Sequence, residues 1–394
     1  MIHSLFLNKN NVRITKKVLL RHGQEFNMKR TKKIIALMLA AVLLIGTAGC
    51  KSADNSTQTS GTASEATNQP STRLFTDSVG RTVEIPYEIT KVAISGPLTQ
   101  IVFYGFAPEL LAGWSSDWSE EAAQYIPDEY LSLPTLGQLY GGKGELNLET
   151  LLAAAPDVVV DIGEPKDTVK EDLDELSEQT GIPFVHITAT TETMGDAFRM
   201  LGELTGLTER AEEYAEYCDG IYSRITDIMN RVGDNKVRAL YCLGDAGCNV
   251  IAQGSYHAEI IDLLTDNLAV VDSPSSKGTG NEVDLEQILV WNPDFIIFAE
   301  GSIYDTVAAD ATWQSVGAIA AGNYVEVPVG PYNWMGFPPS VQRYLGMLWL
   351  ACTLYPDYCD YDLKTEVQNY YQMFYHIELT DAQYEELTKK AVIK

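Results

Sequence analysis

The chain has 394 residues, of which 45% are hydrophobic and 21% charged, and its formal net charge at pH 7 is −26. Nine Lys and Arg but only one Glu fall within residues 1–49, so the rest of the chain holds 19 basic and 53 acidic residues, a net charge of −34. A charge of this sign excludes nucleic acid and an anionic membrane surface as partners. The length suits two lobes better than one hydrophobic core.

Residues 1–49 are predicted to be a targeting signal, with its core at 28–49 and Met28 as the true start. Basic residues at 29–33 precede an apolar run at 34–45, which is shorter than the ~20 residues of a membrane span. The following Gly46-Thr47-Ala48-Gly49-Cys50 resembles the cleavage box of bacterial lipoproteins, although Thr47 stands where Leu is usual. The resemblance implies that Cys50 is diacylated and anchors the chain at the outer face of the cytoplasmic membrane. An ordinary secretory signal or an uncleaved anchor is the alternative.

Residues 50–72 are rich in Ser, Thr, Gln, Asn, Ala and Gly and contain almost no large apolar side chains. Such a segment cannot bury enough surface to become ordered, so it is predicted to be a disordered tether.

Residues 73–207 are predicted to form an N-terminal lobe. A hairpin over 74–86 turns at 77–81, and further strands are expected at 91–95, 110–114, 157–161 and 184–187. Helices are expected between them, including one after Pro97 and one that ends before Gly181. Strands that alternate with helices favour a parallel sheet covered on both faces.

The segment 208–232 has the spacing of a single long helix, with Thr208 as its predicted N-cap and Gly233 as its stop. At 1.5 Å per residue it would span roughly 37 Å, enough to connect two lobes. Its predicted buried face consists of apolar and aromatic residues: Ala211, Tyr214, Ala215, Cys218, Ile221, Tyr222, Ile225, Ile228, Met229 and Val232.

Residues 233–394 repeat the plan as a C-terminal lobe. Strands are predicted at 237–243, near 250, and at 268–271, 295–298 and 324–327, and helices at about 256–265, 284–291, 339–355, 361–375 and 380–390. The predicted fold class is therefore α/β, with two Rossmann-like lobes that contain mainly parallel sheets and are joined by one long rigid helix.

One phrase occurs once in each predicted lobe. Residues 147–161 and 284–298 share Leu, Glu, Leu, Pro and Asp at matching places, and the offset from Glu149 to Glu286 is 137 residues without a gap. Each copy predicts a short helix followed by a Pro-Asp turn and a buried strand. A repeat at this period indicates two similar lobes rather than a solenoid.

These features resemble the helix-linked periplasmic binding proteins of ABC importers, which capture iron–siderophores, haem, cobalamin and chelated metals. The stretch 77–86 is similar to the family's usual start, the repeated phrase is its most specific mark, and the resemblance covers about residues 73–390. It implies a permease dimer with its ATPase as partners. It also implies that Glu149 and Glu286 meet basic residues of the permease, which would fix the docked orientation. The alternative is that both carboxylates only complement their helix dipoles.

Ligands of open α/β sheets bind outside the carboxyl ends of the strands. Aromatic residues there are expected to stack on a ligand, and Lys277 and Arg343 to balance its charge, with Arg343 near a helix N-terminus that suits an anion. The alternative is that Trp334 packs the rim and Arg343 pairs with a structural acid. The predicted ligand-binding residues are Trp114, Tyr140, Tyr256, Lys277, Tyr332, Asn333, Trp334 and Arg343.

Histidine argues against a site for a bare metal ion, because His186, His257 and His376 lie in separate segments. Of these, His257 is a weak candidate for a metal ligand, and no cofactor is predicted. Two cysteine pairs, Cys242/Cys248 and Cys352/Cys359, are close enough in sequence to form disulfides, but spacing does not establish pairing.

The predicted function is capture of an iron complex, of the ferric siderophore kind, for uptake by an ABC importer. Cobalamin or haem, chelated nickel or cobalt, and a molybdate-like oxyanion are the alternative ligands, in that order. An enzyme is not expected, since the sequence lacks a GxSxG elbow and a complete dinucleotide fingerprint. A chelatase-like enzyme and a surface adhesin are the rival classes.

Overall fold

The computed structural model describes residues 70–140 and 145–393. The described chain begins with an antiparallel hairpin of β1 (Thr72–Thr76) and β2 (Thr82–Pro86). The Asp77 carboxylate closes the turn between them, because its Oδ1 accepts hydrogen bonds from the backbone N–H of Val79 at 3.2 Å and of Arg81 at 2.8 Å. The predicted hairpin and its turn are confirmed.

The first lobe is built on a parallel sheet in the order β3–β4–β5, with β3 at Val92–Ile94, β4 at Val158–Gly163 and β5 at Phe184–Thr188. Every residue of β4 is buried, as expected for a strand covered on both faces. The helices of this lobe are α1 (Pro97–Phe106), α2 (Glu120–Ala123), α3 (Asp128–Leu131), α4 (Leu148–Ala154), α5 (Val169–Thr180) and α6 (Met194–Thr205).

The long connecting helix α7 runs over Thr208–Val232, 25 residues, as predicted. Its buried face matches the predicted face except that Tyr222 is half-buried. Gly233 ends the helix with a φ of 60°, but the prediction for Thr208 is wrong. Thr208 is the first helical residue, Leu207 occupies the cap position, and no side chain caps the helix.

The second lobe contains a mixed sheet in the order β11–β10–β6–β7–β9, with β8 paired to β6. Parallel pairing joins β6 with β8 and β10, and β10 with β11, whereas β7 runs antiparallel to β6 and β9. The strands are β6 (Arg238–Leu243), β7 (Asn249–Val250), β8 (Asp266–Asn267), β9 (Asn281–Glu282), β10 (Phe295–Phe298) and β11 (Tyr324–Glu326). The helices are α8 (Glu259–Leu264), α9 (Leu285–Trp291), α10 (Tyr304–Val307), α11 (Gly317–Ala321), α12 (Arg343–Leu354), α13 (Leu363–Tyr370) and α14 (Asp381–Thr388), and a π-helical segment, Tyr371–Tyr375, continues α13.

Two predicted strands are not formed. The segment 110–114 makes separate bridges from Leu111 to Val92 and from Trp114 to Thr135, since it changes partner after a short 3₁₀ turn at Pro108–Leu110. The segment 268–271 leaves the sheet after β8, because a tight turn directs the Val270 N–H back to the Leu268 carbonyl at 2.8 Å.

A single hydrophobic cluster runs through both lobes, from Phe75 to Ala391, and includes the buried face of α7. The C-terminal segment reinforces this continuity by packing back onto α1. The Tyr104 hydroxyl donates to the Tyr375 carbonyl at 3.2 Å, and the Tyr214 hydroxyl lies 2.6 Å from the Gly105 carbonyl oxygen. The two lobes therefore share one packed interior. Within the ranges 70–140 and 145–393, every helix is too short or too polar to cross a bilayer.

The contact between α1 and the C-terminal segment is tight enough to test by adding one methyl group. A Cβ on Gly105 would lie 2.8 Å from the Phe374 ring and 3.3 Å from the Phe374 carbonyl oxygen. We expect Gly105→Ala to lower the free energy of unfolding by about 1–2 kcal/mol, because overpacking outweighs the helical preference for Ala. Urea unfolding measures the change.

The matched control is Gly220→Ala in α7, where a Cβ would meet nothing within 4 Å. This substitution should raise stability by up to about 1 kcal/mol, the difference in helix propensity between the two residues. If Gly105→Ala raised stability as Gly220→Ala does, the packing of α1 against Phe374 would be loose.

Candidate functional site

A cavity of about 260 Å³ lies where the carboxyl ends of strands from the two lobes meet. This is the place that the strand-end rule predicts for a ligand. The cavity lining comes mostly from the first lobe and is completed by three segments of the second. The lining residues are Ser95, Gly96, Pro97, Leu98, Thr99, Gln138, Tyr140, Asp161, Ile162, Gly163, Glu164, Lys166, Tyr256, His257, Ser276, Pro338 and Pro339.

The floor of the cavity is a buried polar network at the ends of β3, β4 and β5. Ser95 Oγ donates to Asp161 Oδ1, and Asp161 Oδ2 lies 2.7 Å from His186 Nδ1. Thr99 Oγ1 lies 3.2 Å from Ser95 Oγ and accepts a hydrogen bond from the Ile162 N–H at 2.9 Å. The network ties the start of α1 to the end of β4, so the floor is rigid.

One side wall comes from the first lobe and carries both charge and an aromatic ring. The Tyr140 hydroxyl donates to Asp172 Oδ2 at 2.7 Å, and burial, with the adjacent Asp172 carboxylate, raises the pKa of Tyr140 well above its ordinary value. The phenol is therefore neutral at pH 7. Beside it, the Lys166 ammonium lies 3.7 Å from a Glu164 carboxylate oxygen, and both side chains are about half exposed.

The opposite wall comes from a 3₁₀ turn, Tyr256–Ala258, in the second lobe. The His257 ring stacks on Phe337, with centroids 5.2 Å apart and an interplanar angle of 11°. Burial first, and then the nearby Arg343 charge, lowers the pKa of His257 to about 4. At neutral pH His257 is therefore an uncharged imidazole in the cavity wall, with its Nδ1 buried and without a hydrogen-bond partner.

Arg343 braces this wall from behind. Its guanidinium is 2% exposed, lies over the Tyr256 ring at 4.8 Å, and donates through Nη2 to the Tyr256 carbonyl oxygen. Nη1 lies 2.8 Å from Glu259 Oε2, an oxygen that also accepts the Thr191 N–H at 2.8 Å. Because Thr191 belongs to the first lobe, this ion pair joins the two lobes beneath the cleft.

Two of the eight predicted ligand-binding residues, Tyr140 and Tyr256, line the cavity, and so does His257, the weak candidate for a metal ligand. Trp114 is 1% exposed and donates its indole N–H to the Tyr130 carbonyl at 2.8 Å. It packs within an aromatic cluster beside the cavity, where Trp118 contacts both Trp114 and Tyr332. The Tyr332 hydroxyl accepts a hydrogen bond from Gln100 Nε2 at 2.9 Å.

The remaining predicted residues lie around the cavity but are not part of its lining. Trp334 is 0% exposed, and Asn333 is 7% exposed and accepts the Met335 N–H at 2.9 Å. Arg343 forms the internal ion pair, which is the structural alternative for this residue. Lys277 is exposed and follows Ser276, a lining residue.

Sequence reasoning missed Asp161, the acid at the cavity floor. The signal was present, because Asp161 interrupts the apolar run of β4 and a carboxylate is almost never buried without partners. It also missed Lys166, Pro338 and Pro339, which line the cavity.

The repeated phrase forms α4 and α9, and the two helices have the same environment. The side chains of Asn147 and Asp284 cap them by accepting backbone N–H groups at 3.0 and 2.7 Å. Each helix ends in the left-handed conformation, at Ala155 with φ 46° and at Asn292 with φ 47°. Both glutamates, Glu149 and Glu286, are exposed. Three residues after each glutamate lies an exposed leucine: Leu152 is 49% exposed and Leu289 is 38% exposed.

The cysteines of the described residues are free thiols in the structure: Cys218, Cys242, Cys248, Cys352 and Cys359. Within the described residues, no group of three or more His, Cys, Asp or Glu side chains is placed to hold a metal ion. Cys50, the predicted lipidation site, and the predicted signal lie outside the described residues.

The family model of the periplasmic binding proteins matches residues 95–329, more than half of the chain. The chain belongs to the periplasmic binding protein family. It is a substrate-binding component of an ABC transporter and not an enzyme, and the family implies an extracytoplasmic location and a permease with an ATPase as partners. None of the curated protein sequences matches this chain.

Solved structures with the same fold include an ABC transporter solute-binding protein from Sulfurospirillum deleyianum. It is 26% identical, with a TM-score of 0.74, and the match covers 80% of this chain and 99% of that one. The molybdate-binding protein MolA of Haemophilus influenzae is 21% identical, with a TM-score of 0.62 and coverage of 78% and 99%. The catecholate-siderophore-binding protein VctP of Vibrio cholerae is 17% identical, with a TM-score of 0.52 and coverage of 70% and 97%. The last two likenesses concern the fold alone.

The ion pair between Arg343 and Glu259 behind the cleft can be tested by measuring the stability of variants. We expect Arg343→Met to lower the free energy of unfolding by about 3 kcal/mol, because the Glu259 carboxylate loses its cation inside the protein. The double variant Arg343→Met/Glu259→Gln should recover part of this loss, since it no longer holds an unpaired charge. Urea unfolding of the three proteins measures both effects.

A double variant that is less stable than Arg343→Met would contradict this account of the ion pair. It would show that Glu259 stabilises the structure mainly through Thr191, whose N–H and hydroxyl both donate to Glu259 Oε2.

Proposed function

We propose that this protein is a lipid-anchored receptor that captures an iron complex of the ferric siderophore kind and delivers it to an ABC permease. Cys50 provides the anchor at the outer face of the cytoplasmic membrane, and the segment that follows it is the tether. The tether is slightly shorter than predicted, because Thr72 already belongs to β1. The observation that carries the ligand proposal is the composition of the cavity. Two phenols and a neutral imidazole converge on a space that both lobes enclose.

The size and opening of the cavity fit a chelate that is held by one end. Its volume of about 260 Å³ is slightly below the roughly 300–1,000 Å³ of ordinary small-molecule sites. A ferric siderophore would therefore place part of its surface in the cavity and leave the rest at the mouth. The rings of Tyr140, Tyr256 and His257 supply aromatic surface for the ligand.

The charges of the lining favour a chelate over a free oxyanion. Among the described lining residues, the basic side chain is Lys166, and it already pairs with Glu164. Arg343, which the sequence offered as an anion partner, is occupied by Glu259. An oxyanion would lose its hydration without gaining a free cationic partner.

The ligand class is tested by titration calorimetry of the full-length chain against a ferric hydroxamate siderophore, a ferric catecholate siderophore, haem, cobalamin, nickel–histidine and molybdate. We expect saturable, submicromolar binding of a ferric siderophore and no comparable heat from the others. If another compound bound tightly and neither siderophore gave binding heat, that compound would replace the iron complex as the proposed ligand. Silence of the whole panel, in a sample with a cooperative unfolding transition, would refute metal-chelate capture.

The docking face proposed for the permease consists of α4 and α9. Each presents an exposed glutamate and, one turn later on the same side, an exposed leucine, Glu149 with Leu152 and Glu286 with Leu289. A carboxylate beside an apolar side chain suits a basic pocket with an apolar rim, and two such pairs suit a permease dimer that offers this pocket twice.

We expect Glu149→Lys/Glu286→Lys to abolish uptake of the bound ligand in cells while its affinity for the purified protein stays unchanged. The reason is that charge reversal places like charges together at both docking points. Uptake of a labelled ligand and calorimetry measure the two quantities.

The matched control is Glu178→Lys/Glu385→Lys, which makes the same change in net charge at two exposed helical positions outside the repeated phrase. The control should retain uptake. Equal loss in both variants would assign the effect to net charge, and lost affinity in the first variant would place these glutamates in the cleft or the fold.

A further inference from the structure

We infer that Asp161 determines the ligand specificity of the cleft, by selecting a chelate that carries a cationic or strong hydrogen-bond-donor group and by rejecting oxyanions. This inference rests on the proposed function, because it names the chemical class of ligand for the same cavity. It assigns direct ligand contact to Asp161 and positioning roles to Ser95 and His186.

The position of Asp161 at the cavity is built by its neighbours. The residue is 8% exposed and belongs to the cavity lining, so its small accessible surface faces the ligand space. Ser95 Oγ donates to one carboxylate oxygen, and His186 Nδ1 lies 2.7 Å from the other. A carboxylate offers about four acceptor sites, so these two contacts leave acceptor capacity for a ligand.

His186 supports the Asp161 carboxylate from within the sheet. His186 is 0% exposed, and its Nε2 is buried without a hydrogen-bond partner. The ring nitrogen that faces Asp161 is Nδ1, at 2.7 Å from Oδ2, so the imidazole fixes the position of the carboxylate charge at the cavity floor.

No cation on the described lining neutralises this charge. Lys166 pairs with Glu164 at 3.7 Å, and Arg343 is buried behind the opposite wall with Glu259 at 2.8 Å. An anion at the cavity floor would lose its hydration and would also be repelled by the Asp161 carboxylate. An ammonium or another strong donor would instead gain a charge-assisted hydrogen bond. Rejection by repulsion is a general source of specificity.

The test uses two forms of one ferric trihydroxamate and an oxyanion. Ferrioxamine B carries a pendant ammonium, its N-acetyl derivative is the same chelate without that charge, and molybdate is the third probe. In calorimetry with the full-length chain, we expect ferrioxamine B to bind roughly ten- to a hundredfold tighter than the N-acetyl form, the range for a hydrogen bond to a charged group. Molybdate should give no saturable binding.

In Asp161→Asn the preference for ferrioxamine B should fall to near unity, since the amide keeps the shape of the side chain but not its charge. Glu178→Gln is the control, because it removes one carboxylate charge at an exposed helical position outside the cavity lining, and it should keep the preference. The comparison within the wild-type protein needs no variant, so it stands even if Asp161→Asn does not fold.

The possible failures can be told apart. Equal wild-type affinities for the two chelates, or a preference that survives Asp161→Asn, would overturn the role of Asp161 and leave capture of a ferric chelate intact. Binding of molybdate without either chelate would overturn both the role of Asp161 and the proposed ligand. Absence of binding by all three probes would overturn capture of a ferric hydroxamate and the inference that depends on it.

Discussion

A buried guanidinium, that of Arg343, holds together three segments from distant parts of the chain. It pairs with Glu259 at the start of α8, covers the ring of Tyr256, and through Glu259 reaches Thr191 in the first lobe. Burying a charge is costly unless hydrogen bonds and a counter-charge compensate, and here both are present. The orientation of the wall that carries Tyr256 and His257 depends on this contact, so the site is supported from within the protein rather than from its surface.

The same contact is one of several that join the two lobes around the cleft. The Tyr256 hydroxyl donates to the Ala189 carbonyl at 2.9 Å, and the Tyr344 hydroxyl donates to the Thr191 carbonyl at 2.7 Å, so the second lobe is bonded to the first at several points. The continuous apolar interior through α7 acts in the same direction. Closure over a ligand would require breaking buried contacts, which favours a cleft that is largely preformed.

Much of the fold could be predicted from the sequence, because the apolar residues of its helices recur at regular spacing and one phrase is repeated. The apolar spacing of 208–232 defined α7, and the repeated phrase located α4 and α9. The site was accessible only in part. The strand-end rule gives the place of a residue but not the direction of its side chain, so Tyr140 and Trp114 looked equivalent although one lines the cavity and the other is buried. Likewise, the spacing of Arg343 could not reveal that Glu259 lies beside it, because that pair forms across 84 residues of chain.

A braced cleft has a practical consequence for the use of this protein as a sensor. Reporters that depend on two domains moving together, such as a pair of fluorophores on opposite lobes, would give a small signal here. A single environment-sensitive dye at the mouth, for example on a cysteine introduced at the exposed position Lys277, would instead respond to the arrival of the ligand itself. The five thiols of the described residues would first need replacement. Among them, Cys248, Cys352 and Cys359 are only partly buried and would compete for the label.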